Sequence, residues 1–169
     1  MKKIGLLSDT HGVIIEQVYS VFANCDEIWH AGDIGNMATI DKLAAFKPIR
    51  AVFGNIDDHV VRMMYPEIQD FECDGLKVVM THIGGYPGKY VPSIKQYLIN
   101  KKPGLFISGH SHILKIIFDP KLNCLHMNPG AAGIYGIHTV ITMLRFKVSQ
   151  GKVVEPEIIE IERSKAKRT

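Results

Sequence analysis

Two imidazoles one residue apart, in Gly109-His110-Ser111-His112, come just after the apolar run Leu105-Phe106-Ile107. At the mouth of a strand such a pair either closes a hydrogen-bonded turn or offers two nitrogen ligands to a metal above a sheet edge. Five further groups recur in the same setting: Asp9, His11, Asp33, Asn55 and His82 each stand where a short apolar stretch gives out. Glycine precedes Asp33, Asn55 and His110, which leaves room beside a metal and permits turns closed to other residues. Singly, a Gly-Asp or Gly-Asn is a plain turn and a lone His82 a hydrogen-bonded histidine. Jointly they form a donor set of imidazole nitrogen, carboxylate and amide oxygen without thiolate. Such donors suit manganese, iron, nickel or zinc better than calcium or a structural zinc. The set is richer than one ion needs, and one carboxylate shared by two ions would hold them about 3.5–4 Å apart.

The elements that must carry these groups follow from the hydrophobic pattern. Ile4 to Leu7 read as a strand that stops at Ser8-Asp9-Thr10-His11-Gly12, the carboxyl end at which open α/β sheets build their sites. Ile14, Val18, Val21 and Phe22 predict an amphipathic helix between Val13 and Asn24. Glu27 to Ala31 form a strand ending at Gly32-Asp33, and Ile34-Gly35-Asn36 opens a helix to about Phe46. After Pro48, Ile49 to Phe53 form a strand ending at Gly54-Asn55. Glu67 to Cys73 and Leu76 to Thr81 pair across Asp74-Gly75, and the second delivers His82. Gly84 to Tyr90 lacks the Gly-Lys-Ser/Thr ending of a phosphate loop and reads, like Asp57 to Met64, as a rim loop. A helix from Pro92 or Ser93 to about Asn100 leads to the strand of the His-x-His motif. Ile113 to Phe118, Leu122 to Met127, Thr139 to Val148 and Val153 to Ile161 complete the strands, with Pro156 placing the last at an edge.

The bulk composition bounds the rest. With 169 residues, 46% of them apolar, the chain suits one compact domain, expected over residues 1–162, followed by a basic, solvated, mobile tail over 163–169. Lys and Arg exceed Asp and Glu by only three, which indicates neither nucleic acid nor a membrane surface as partner. Cys25, Cys73 and Cys124 are widely spaced and form no Cys-x-x-Cys pair, so a disulfide framework is not expected. The apolar stretch after Met1-Lys2-Lys3 is too brief for a signal-peptide core, and the expected location is cytoplasmic.

The ordered set Asp9-x-His11, Gly32-Asp33, Gly54-Asn55, His82 and Gly109-His110-x-His112 resembles the calcineurin-like metallophosphoesterases, in their small single-domain phosphodiesterase branch. The resemblance implies an α/β (α+β) fold, a four-layer αββα sandwich of two mixed β-sheets flanked by helices, in keeping with the early βα alternation and later hairpins. It further implies Asp9, His11 and His112 as ligands of a first divalent metal ion, Asn55, His82 and His110 of a second, and Asp33 as the bridge. Two divalent ions, manganese foremost with nickel, iron or zinc as alternatives, would lower the pKa of water to about 7. The implied reaction is in-line attack of a metal-bridging hydroxide on a phosphate ester, with Asp33, Asn55 and His82 as catalytic residues. The substrate expected is a diester, with a phosphomonoester as the alternative. A different alternative is a non-catalytic protein-binding scaffold, since the fold also resembles the small subunit of the retromer coat. Self-association is left open.

Several positions depart from the family pattern or lie beside it. Ile56 stands where many larger relatives place a proton-donating histidine after the asparagine, which favours good leaving groups. Asp57 either orients Asn55 or a neighbouring histidine, or forms a turn. Ile83 and Ala131 replace the glycine and serine frequent in relatives and alter the pocket wall without removing a ligand. His30 reads as a buried, hydrogen-bonded strand histidine, and His59, His126 and His138 as surface or structural groups.

Overall fold

The computed structural model describes residues 1–169. Ten strands form two five-stranded mixed sheets. In the first, β1 (Lys2–Leu7) is central, flanked in parallel by β2 (Glu27–His30) and then β3 (Ile49–Ala51), and antiparallel by β9 (Val140–Ser149), with β10 (Lys152–Glu162) outermost. The second runs in the order β4 (Ile68–Cys73), β5 (Leu76–Thr81), β6 (Leu105–Ile107), β8 (Cys124–Pro129) and β7 (Leu114–Asp119), with the β5–β6 and β6–β8 pairs parallel. The helices are α1 (Gln17–Val21), α2 (Met37–Phe46), α3 (His59–Met64) and α4 (Pro92–Lys101).

Three apolar layers hold these elements. Ile4, Leu6 and Trp29 of the first sheet meet Val78, Met80, Ile107 and Met127 of the second in the central core. On the other face of the first sheet, Leu7, Ile28 and Ala51 pack on Val18, Phe22, Ile40, Leu43 and Val61 of the first three helices. Val79, Phe106 and Cys124 pack on Ile94 and Leu98 of α4 behind the second sheet. The layers are therefore α, β, β, α, as the sequence led us to expect. β1 is buried on both faces, which is why Ile4-Gly5-Leu6-Leu7 is a continuous apolar run and not an alternating one.

Three local outcomes differ from the hydrophobic pattern. The expected helix over Val13 to Asn24 shrinks to Gln17–Val21, because the chain before it is drawn into extended pairing: Ile15 bridges Arg168, and Thr169 N–H donates to the Ile14 carbonyl (3.1 Å). The tail therefore has its backbone fixed along this segment while its Lys167 and Arg168 side chains stay exposed. The rim stretch Asp57 to Met64 is largely helix α3, capped by the Asp58 carboxylate, which accepts from Val60 and Val61 N–H (both 3.0 Å). In β10 the register slips between Val154 and Glu157, at Pro156, which has no N–H to give to the ladder. α2 begins as expected, with the Asn36 side chain accepting from Thr39 N–H (2.9 Å). No helix is long and apolar enough to cross a membrane.

Trp29 stands edge-on to both Phe71 (5.0 Å) and Phe146 (5.7 Å) in the central layer and is fully buried. Trp29→Ala removes the largest side chain between the sheets and should lower unfolding stability by about 3–5 kcal/mol, measured as a shifted midpoint in urea at unchanged slope.

Candidate metal centre

The parallel strands of both sheets end at one seam, and the chain turns sharply as it leaves each of them. Beyond β1 and β2 the backbone stays zipped: Asp9 N–H donates to Gly32 O (2.9 Å) and His11 N–H to Asp33 O (3.0 Å). Beyond β5 and β6, Gly109 N–H donates to the His82 carbonyl (3.0 Å). The two sheets are stapled here by Ala132 N–H on Ser8 O (2.8 Å), by the His82 ring on Ala31 O (2.8 Å) and by His110 N–H on the Asp9 carboxylate (3.2 Å). Asp9, His11, Asp33, His110 and His112 all adopt left-handed backbone, with φ between 48° and 68°. Such conformations are uncommon outside glycine, and five in one place mark a site whose geometry the surrounding fold imposes. Gly54 is obligatory for space, since a Cβ there would lie 2.0 Å from Asp33 Oδ1.

The side chains converge as two triads, Asp9 with His11 and His112, and Asp33 with His82 and His110. Within each, the potential ligand atoms lie within 4.8 Å of one another. His112 Nε2 is 3.2 Å and His11 Nε2 3.8 Å from Asp9 Oδ1, and the two Nε2 atoms face each other at 3.3 Å. Asp33 reaches both triads, with Oδ1 3.2 Å from His82 Nε2 and Oδ2 3.7 Å from His11 Nε2. Both carboxylates and His82 are buried, His11 and His112 are partly open, and His110 is exposed. Asn55 lies at the rim of the Asp33 triad. It lies on the exposed loop whose next residue, Ile56, donates its N–H to Asp33 Oδ1 (3.1 Å), and it shares a cavity of about 170 Å³ with His82, Ile83 and Arg62.

The polar bookkeeping of this seam calls for a cation. His82 Nδ1 donates to the Ala31 carbonyl, so in the neutral ring Nε2 is a lone pair. That lone pair faces Asp33 Oδ1 and, at 3.9 Å, Asp9 Oδ1. Buried Asp9 Oδ1 lacks a hydrogen-bonding partner, and so does His82 Nε2 while the ring stays neutral, since only a protonated Nε2 can donate to Asp33. Acceptor confronting acceptor is repulsive until positive charge enters between them, as a proton or a metal ion. The spacing also fits, because ligands about 2.0–2.2 Å from a shared ion stand roughly 3–3.5 Å apart. The same confrontation appears in the titration of the site. Burial would lower the His82 pKa, but the Asp33 hydrogen bond and the Asp9 and Asp33 charges outweigh it and raise it. The Asp9 contact likewise raises His112 against the effect of burial. Burial pushes the Asp33 carboxyl up, but the His82 hydrogen bond and charge, together with Ile56 N–H, bring it below the usual range.

Supporting residues surround the triads. Asp57 forms more than a turn: its buried carboxylate accepts from Ile34 N–H (3.1 Å), Gly35 N–H (2.7 Å) and Gly54 N–H (2.7 Å), tying the loop of Asp33 to that of Asn55. Of the roles open from the sequence, orienting Asn55 or a histidine and forming a turn, the contacts it makes are with backbone, including Gly54 just before Asn55. Arg62 of α3, which the sequence did not single out, donates to the carbonyls of Asp57 (2.7 Å), Gly54 (3.3 Å) and Asn55 (3.1 Å). The one signal for it was Asp58 as a helix cap four residues upstream. His30 is the buried strand histidine expected: Gly32 N–H donates to Nδ1 (3.2 Å), Nε2 meets Thr10 Oγ1 (2.9 Å), and burial lowers its pKa to about 3. His138 contacts Gly133 O through Nε2 (2.8 Å) and sets its ring edge-on to His112 at 5.4 Å. His59 lies exposed at the start of α3.

Two sheets meeting at a seam of paired imidazole and carboxylate groups define the class of the molecule, an αββα protein with a donor set suited to divalent metal. The chain belongs to the calcineurin-like phosphoesterase superfamily, whose domain model matches residues 1–151. It is 30% identical over 114 residues, 64% of its length, to a probable metallophosphoesterase of Methanothermobacter thermautotrophicus, and spans 66% of that relative, just under two thirds. An archaeal phosphodiesterase of known structure shares the fold at a TM-score of 0.70 and 21% identity, covering 94% of this chain and 99% of its own. Vps29 of Entamoeba histolytica complexed with zinc does so at 0.72 and 16%, covering 95% and 99%.

The clamp generates a prediction. Asp57→Asn keeps the shape but loses a charged acceptor of three N–H groups, and should weaken divalent-metal binding by about 10–100-fold, as read by titration calorimetry. The same variant should melt at lower temperature, since hydrogen bonds to a charged group contribute about 1.5–3 kcal/mol.

Proposed function

We propose that this protein is a two-metal phosphodiesterase, with Asp9, His11 and His112 holding one ion, Asn55, His82 and His110 the other, and Asp33 bridging. The observation that carries this reading is the Asp33 carboxylate, whose two oxygens reach His11 of one triad and His82 of the other. Two divalent ions, manganese foremost given a nitrogen and oxygen donor set without thiolate, would supply activated water and neutralise charge on the phosphoryl and leaving oxygens. The chain's own residues do the rest. Asp9, held by His110 N–H, and Asp33, held by Ile56 N–H, fix the negative charge that binds the cations. His82 is kept in one orientation by its bond to Ala31 O, so its Nε2 needs no rearrangement to act as a ligand. Asn55 stands at the open side of the Asp33 triad, where its amide can meet a phosphoryl oxygen beside His82.

Ile56 puts a hydrocarbon side chain where a proton donor would help the departing alcohol, and it is 46% exposed beside the Asp33 loop. The enzyme therefore works best on esters of acidic alcohols. A scaffold that only binds proteins would have no use for a buried, unpartnered Asp9 Oδ1 facing three imidazoles, so the enzymatic reading is preferred over that alternative.

The test is hydrolysis of bis(para-nitrophenyl) phosphate by protein reconstituted with manganese, nickel or zinc, beside elemental analysis of bound metal. We expect close to two ions per chain, metal-dependent turnover, lower rates on para-nitrophenyl phosphate, and loss of turnover in a folded Asp33→Ala variant. Turnover undiminished in Asp33→Ala, or a protein that binds no divalent ion, would sink the reading. Ile56→His should raise the rate on alkyl esters relative to aryl esters, recovering part of the about 10²–10⁴-fold that a general acid supplies. Matched alkyl and aryl diesters measure that ratio directly.

A further inference from the structure

On the outer face of the second sheet lies a cavity of about 230 Å³, whose lining the chemistry above uses only at His110. Through His110 it adjoins the Asp33 triad, and Gly85, Tyr86, Ser111, Lys115 and His126 also line it. Along β8, Leu125 and Met127 face the central core, whereas Cys124 faces the α4 layer. His126 shares the outer side with Cys124 and sets its ring against Phe106 at 5.2 Å. It is 1% exposed, neither imidazole nitrogen has a hydrogen-bonding partner within ordinary distance and angle, and the nearby Phe106 backbone only partly offsets the effect of burial. Burial lowers its pKa to about 4, so the ring is neutral and presents one N–H and one lone pair. A buried polar group without a partner is costly, and one that lines a cavity is satisfied by whatever polar atom enters.

The other walls narrow the chemistry of the occupant. Lys115 stands on the adjoining strand β7, opposite Asn128, with its Nζ 3.9 Å from the Tyr86 ring centre. The Ser111 hydroxyl oxygen accepts from Asn128 Nδ2 (3.1 Å) and Ile113 N–H (3.2 Å), and neither contact uses its own proton. No Asp or Glu lines the cavity, so nothing there would pair with a cationic group. Its volume is below the about 300–1,000 Å³ of pockets that take an entire ligand, which suits one arm of a substrate. Those features suit a compact, uncharged group that carries hydrogen-bonding oxygens on a hydrocarbon frame.

We propose that this cavity is the subsite for one alcohol arm of the phosphodiester, a compact hydroxyl-bearing group of the glycerol or pentose kind, and that His126 is its specificity-determining residue. This inference rests on the phosphodiesterase reading. With phosphorus at the triads, His110 is shared by the reacting centre and the cavity wall, so the ester arm on that side enters the cavity and one of its hydroxyls meets His126.

Manganese-loaded protein is assayed on three para-nitrophenyl phosphodiesters that share a leaving group and differ in the second arm: methyl, glyceryl and uridinyl. A hydroxylated arm should exceed methyl in kcat/KM by about tenfold or more, and the arm preferred tells glycerol from pentose. His126→Phe should reduce that ratio about tenfold, equivalent to about 1.4 kcal/mol, mainly through KM. Lys115→Met, on an exposed edge strand, should reduce it in the same direction and serves if His126→Phe does not fold. As a readout independent of turnover, the His126 ring resonances should shift when glycerol or ribose is added to the wild-type protein. Equal kcat/KM on all three diesters, or an unchanged ratio in both variants, overturns the subsite alone. Absence of turnover on all three in the wild type overturns the phosphodiesterase reading and the subsite with it.

Discussion

Asp9 carries a carboxylate to the place where the two sheets meet, buries it completely and leaves one of its oxygens facing three imidazoles. Taking a charge out of water is expensive unless opposite charge comes with it. The fold meets this constraint by surrounding Asp9 with nitrogens whose lone pairs share its need for a cation. His82 shows the arrangement most plainly: because the Ala31 carbonyl takes its Nδ1 proton, Nε2 is left as an acceptor confronting two carboxylates. A cation entering here would relieve a repulsion that folding itself creates.

Holding that repulsion in place demands a rigid frame. The left-handed backbone at Asp9, His11, Asp33, His110 and His112 would relax if the loops were free. They are not free, since β1 and β2 continue their hydrogen bonding through Asp9 and His11, and β5 and β6 through Gly109. Asp57 adds a third fastening, gathering N–H groups from the Asp33 and Asn55 loops on one carboxylate. The close approach at Gly54 explains why a side chain could not stand there.

Around this frame the outer wall is built from different material. α3 carries Arg62, which pins the carbonyls of the Asn55 loop, but buries only Val61 of its own. Ile56 and Ile83 leave apolar surface beside the open side of the triads. The fold is shared with both an archaeal phosphodiesterase and a zinc-complexed Vps29. Function then resides in the groups that a chain sets on this fold and not in the fold itself.

Much of this was legible in the chain itself. Each candidate donor follows an apolar run, so its place at a strand end could be read from residues such as Ile4 to Leu7 before Asp9, or Val78 to Met80 before His82. The alternation of strands and helices, Asn36 as a helix cap, and Pro156 at an edge were equally local, because each depends on neighbours within a few residues. Where the pattern misled, a distant partner had intervened: the start of the first helix is pulled out straight by Ile15 pairing with Arg168. Local residue patterns were enough to say which donors exist, in what order, and that strands would present them. It took the folded arrangement to bring Asp33 within reach of both triads, to make Asp57 a clamp on two loops joined by Arg62, and to bury His126 without a partner beside a cavity. Those relations hang on how two twisted sheets stack and where their edges meet, and no local spacing of residues encodes the distance between groups brought together from opposite halves of the chain.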